Sequence, residues 1–81
     1  MEADLKVYVK VNADFLPDGK LLPQSIIWEN GRKFDIDRIV DVRRAASLKA
    51  GGAGIRYTVE ILGRQTHLFL EEDRWFVERR R

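Results

Sequence analysis

The chain has 81 residues, 44% of them apolar, with no cysteine and a formal net charge of +2. That length makes one domain at the small end of what folds without staples, so its core must come from packing alone. Disulfides and thiolate metal sites are excluded, and no apolar run approaches the roughly 18 residues that cross a bilayer. The opening "MEADLKVYVK" has no basic region followed by an apolar stretch, so a cytoplasmic setting is expected.

In "LKVYVKV" the residues Leu5, Val7, Val9 and Val11 alternate with Lys6, Tyr8 and Lys10, which predicts a strand with one buried face. Pro17, Asp18 and Gly19 then supply turn chemistry. The run "SIIWENGRKFDI" carries Asn30-Gly31 at its centre, a hairpin signal. A two-residue turn would face Ile27 with Phe34. A three-residue loop ending in Gly31 puts Ile26, Trp28, Phe34 and Ile36 on one side, and is preferred because it buries the larger apolar set together. Alternation runs on through Val40 and Val42 and breaks at Arg38, where a bend or bulge is expected. "RRAASLKA" has the spacing for one short helical turn.

The last hairpin is the most regular stretch. A two-residue turn at Gly63-Arg64 faces Ile61 with Thr66, Val59 with Leu68 and Tyr57 with Leu70. The other side then pairs Glu60 with His67 and Arg56 with Glu71, and leaves Thr58, Leu62 and Phe69 facing outward. "RWFVE" reads as a final short strand. Five or six antiparallel strands on one small chain predict an all-β, single-domain bent sheet or barrel over residues 1–81, SH3-like or similar. The segments "SIIWENGRKFDI", "GIRYTVEILGRQTHLFL" and "RWFVE" resemble a group of small uncharacterised bacterial all-β proteins that combine aromatic strands, a Gly-Arg turn and a last strand containing Trp. The resemblance implies a fold and carries no activity.

Chemistry is sparse. "KAGGAGIR" has its lysine before the glycines, no Ser or Thr after them and a strand next, so it is not a phosphate-binding P-loop. It reads either as slack between strands or as a mobile loop closing on a phosphate backbone. His67 is the only histidine, and Asp35, Asp37 and Asp41 stand among Arg32, Lys33 and Arg38, so no metal site and no cofactor is expected. No nucleophile, base and oxyanion donor come together, and an enzyme is not expected.

Two binding readings stay open. Between Arg43 and His67 the cations Arg43, Arg44, Lys49, Arg56 and Arg64 face a single acid, Glu60. With Lys6, Tyr8 and Lys10 on an outer face, these residues are candidates for contact with single-stranded or duplex nucleic acid. The alternative is a protein partner or a second copy of the chain, held by Leu62, Phe69 and whichever of the adjacent Trp75 and Phe76 points away from the core.

Overall fold

The computed structural model describes residues 4–46 and 53–80. Among them there is no helix, and seven strands form one antiparallel sheet: β1 (Asp4–Phe15), β2 (Leu21–Ile27), β3 (Lys33–Asp35), β4 (Arg38–Ala46), β5 (Ala53–Ile61), β6 (Arg64–Glu71) and β7 (Arg74–Arg80). The spatial order β3-β2-β1-β7-β6-β5-β4 is two meanders joined where the first and last strands pair. The sheet curls into a half-barrel around a concave core of Ile26, Tyr57, Val59, Leu68 and Leu70.

The two edges of the sheet are tied by consecutive residues. The Ile36 amide donates to the Gln24 carbonyl on β2 at 2.9 Å, and the Asp37 amide donates to the Glu60 carbonyl on β5 at 2.8 Å. Between them the chain leaves one edge and joins the other. This is why there are seven strands rather than five or six: the apolar alternation from Phe34 to Val42 is split at this link into β3 and β4. The break in that alternation also falls elsewhere than the sequence places it. The extra residue on β4 is Val40, between the pairs Ile39–Val59 and Asp41–Thr58, rather than Arg38. A bulge of this kind bends the strand and lets the sheet curl. The Tyr57 hydroxyl reaches across the concavity to donate to the Leu21 carbonyl at 2.6 Å.

Two turns share one construction. Pairs Leu16–Lys20 and Trp28–Arg32 each close a three-residue loop whose last residue is a glycine, at φ +93° for Gly19 and +88° for Gly31. In both, an Asx side chain accepts the amide of the cation that follows, Asp18 from Lys20 at 3.1 Å and Asn30 from Arg32 at 2.9 Å. The three-residue reading of the Asn30-Gly31 hairpin is thereby the observed one, with Ile26 facing Phe34.

The last hairpin differs from expectation by two residues. Its turn is Leu62-Gly63, with both residues at positive φ (53° and 78°), so Tyr57 faces Leu68, Thr58 faces His67, Glu60 faces Gln65 and Arg56 faces Phe69. Positive φ at both central positions matches the right-handed twist of the strands. The Leu62 amide, donating to Asp37 Oδ2 at 3.1 Å, helps hold it there. A shift of two preserves which face each side chain takes, but it replaces the expected pairs Glu60–His67 and Arg56–Glu71. "RRAASLKA" is not a helical turn over its described part, since Arg43–Ala46 continues β4.

Candidate nucleic-acid interface

Alternation along five neighbouring strands aligns one residue from each on the outer side of the sheet. Tyr8 of β1 pairs with Phe76 of β7, Phe76 with Phe69 of β6, Phe69 with Arg56 of β5, and Arg56 with Arg43 of β4. With strands about 4.8 Å apart, this row is about 19 Å long. It begins aromatic and ends cationic.

The aromatic end is packed on itself. Phe76 stacks on Phe69 with centroids 5.0 Å apart and planes 6° from parallel, and meets the Tyr8 ring edge-on at 5.8 Å. Lys6 Nζ sits 4.6 Å above the Phe76 ring and is paired with Glu71 Oε1 at 3.0 Å, so an ion pair arches over β7 and closes the outer surface above it. Phe76 is left 1% exposed. Tyr8 stays 43% exposed, with the Arg74 guanidinium carbon 3.7 Å from its ring centroid. Tyr8, Lys10, Asp73 and Arg74 border a groove of about 420 Å³ between the start of β7 and β1.

The cationic end is less settled. Arg43 Nε donates to Asp41 Oδ2 at 2.8 Å. Arg56, directly opposite Arg43, has its Nε shut off from solvent with no acceptor among the described residues. Like charges facing across a ladder are unfavourable, and a buried donor without a partner costs about 1–3 kcal/mol.

The sequence-derived candidates divide accordingly. Tyr8, Arg43 and Arg56 share the row, with Lys6 and Lys10 flanking Tyr8 on the same strand. Arg44 pairs with Ile55 and belongs to the opposite side. Arg64 follows the β5–β6 turn opposite Ile61, away from the row. Lys49, and with it the first half of "KAGGAGIR", lies outside the described residues. The last glycine of that segment is placed: Gly54 is in β5, and a Cβ there would meet the Leu70 carbonyl oxygen at 2.8 Å. This glycine lets two strands approach.

The apolar candidates do not share one surface. Leu62 is exposed on its turn, and Phe69 and Phe76 lie on the outer side. Trp75 faces the core, 5.5 Å from the Tyr57 ring. The three aspartates that stand among the cations have local roles. Asp41 holds Arg43, Asp37 holds the Leu62 amide, and Asp35 lies 3.9 Å from Lys33. Arg74 is not among the sequence-derived candidates, although alternation back from Phe76 places it beside Tyr8. Burial pushes the Tyr57 hydroxyl above the ordinary tyrosine pKa.

Comparison of the chain with models of protein families, with curated proteins and with solved structures finds no match.

Proposed function

We propose that this chain is a non-catalytic binding module of the small-barrel, SH3-like kind, and that it engages single-stranded nucleic acid across the outer side of its sheet. The observation that carries the reading is the Tyr8–Phe76–Phe69–Arg56–Arg43 row, which sets an exposed ring at one end and two facing arginines at the other. Phosphate oxygens are acceptors of the right charge for two facing arginines. Tyr8, already stacked by Arg74, offers a ring face or edge to an unpaired base, and such stacking tolerates any sequence. A duplex keeps its bases stacked inside, which favours the single strand as partner.

Besides Lys6, which is paired with Glu71, the cations of this surface are Lys10, Arg43, Arg56 and Arg74. Four phosphate contacts on a single strand give a salt slope of about −3, hence about 50-fold weaker binding at 200 mM than at 50 mM salt. Affinity belongs in the nonspecific range of about 10⁻⁴–10⁻⁶ M, suited to an accessory role beside a stronger nucleic-acid-processing partner in the cytoplasm. Fluorescence anisotropy with a labelled oligonucleotide tests this. Salt-sensitive binding that is lost in the double variant Arg43→Glu/Arg56→Glu supports it, and binding unaffected by that variant rejects it.

A second reading, association with another copy, is favoured by the free edge of β4. Val40 and Val42 are exposed there, and among the described residues only β5 pairs with the strand. Antiparallel self-pairing centred on Val42 sets Asp41 opposite the partner's Arg43 twice, whereas centring on Asp41 or Arg43 opposes like charges. Sedimentation velocity decides it. Asp41→Arg or Arg43→Asp alone disperses such a dimer and the two together restore it. A monomer at every concentration excludes it.

A further inference from the structure

A separate cleft of about 610 Å³ opens where the β2–β3 hairpin approaches the β5–β6 turn and β7. Its volume lies inside the roughly 300–1,000 Å³ typical of small-molecule sites. Trp28 and Phe34 supply aromatic surface, and Arg32 and Arg64 line it from the two hairpins. The turns explain the convergence. Gly31 at φ +88° closes the loop that sets Arg32 opposite Trp28, and the Leu62-Gly63 turn sets Arg64 opposite Ile61.

The charge of this cleft is uncompensated. Among the described residues Glu78 is its one carboxylate against two guanidinium groups, and neither arginine forms an ion pair. Arg32 instead lies over the Phe34 ring, its guanidinium carbon 5.1 Å from the centroid. No residue of the outer row lines the cleft, so the two surfaces are independent of each other.

We infer that the cleft binds a small aromatic anion of the nucleoside monophosphate type. The flat ring system packs against Trp28 and Phe34, as bases stack on aromatic side chains. The phosphate lies between Arg32 and Arg64, whose planar forks suit two-point contact with its oxygens. Neither half of such a ligand uses the whole cleft: a bare phosphate makes no ring contact, and an uncharged nucleoside leaves two arginines facing one carboxylate.

The test is a titration of the isotopically labelled protein with AMP, followed by amide chemical shifts, with adenosine and inorganic phosphate as separate probes. The expected result is a set of shifts confined to the Trp28–Phe34 and Ile61–Thr66 segments, saturating with AMP. Adenosine and phosphate bind there at least about tenfold more weakly. Both arginines are exposed, so Arg32→Glu/Arg64→Glu keeps the native spectrum and loses the AMP response, while Arg43→Glu/Arg56→Glu retains it. No shift at millimolar AMP, shifts scattered over other cations, phosphate binding as tightly as AMP, or an unchanged response in Arg32→Glu/Arg64→Glu would each overturn the inference.

Discussion

Phe69 and Phe76 lie parallel on the outer side of the sheet, centroids 5.0 Å apart, while Phe76 is as thoroughly buried as the centre of the concave core. A small sheet has two faces and not enough chain to cover both. Here the second face is covered locally, by Tyr8 at one side of Phe76, Phe69 at the other, and the Lys6–Glu71 ion pair above. Arg56 and Arg43 continue the same row across the next two strands.

Phe76→Ala is expected to cost about 3–5 kcal/mol, the usual range for removing a buried aromatic ring. Urea unfolding measures it. A loss below about 1 kcal/mol would mean that the outer cluster adds little to the fold.

The Lys6–Glu71 pair is part-buried, and both side chains retain some solvent. A double-mutant cycle with Lys6→Met and Glu71→Gln should give a coupling of no more than about 1 kcal/mol, reduced by salt. Phe76 in the Lys6 variant should become more accessible, which its side-chain line width reports.

Gly54→Ala is expected to destabilise the protein by about 1–3 kcal/mol, because a Cβ at this position would stand 2.8 Å from the Leu70 carbonyl oxygen and backbone must shift to admit it. Leu62→Asn should act in the opposite sense. Leu62 has φ 53°, a conformation Asn tolerates better, and its 76% exposure means that little packing is lost. A gain of up to about 1 kcal/mol is expected from the backbone term, and thermal denaturation of the two variants beside the parent checks both signs.

Tyr57 links structure to pH. Its pKa is raised by burial in the folded state, so the unfolded chain ionises first as pH rises. Its contribution is complete below the unfolded value of about 10 and declines from there up to the higher folded pKa. Stability measured from pH 8 to 11 should therefore fall more steeply for the parent than for Tyr57→Phe. That variant starts lower by about 1 kcal/mol or more, since the Leu21 carbonyl loses its donor.

The legible parts of this sequence are those set by local rules. Asn30-Gly31 with its flanking apolar residues is enough to select the three-residue loop, because only Gly31 must take positive φ. In the last hairpin the same reasoning puts the glycine first in the turn. Leu62 is not a residue that advertises a left-handed conformation, and the register is consequently two residues away. The faces survive that shift, so Phe69 and Arg56 are correctly placed outside and near each other, yet their directly opposite partners are not the expected ones. Which of Trp75 and Phe76 meets the core is decided by pairing with β1, at the opposite end of the chain, and no local pattern contains it. Gly54 reads as slack in the sequence because the carbonyl it must clear belongs to another strand. The cleft beside Trp28 is invisible for a similar reason: Arg32 and Arg64 come together only once two hairpins are folded.

The most direct test of the central claim is anisotropy of a labelled single-stranded oligonucleotide, titrated with the parent and with Arg43→Glu/Arg56→Glu at two salt concentrations. Micromolar to submillimolar binding at low salt, weakened about 50-fold on going from 50 to 200 mM and abolished by the double variant, is the predicted result. No binding at low salt, or binding that the variant leaves intact, would contradict the assignment of the Tyr8–Arg43 row to a nucleic-acid partner.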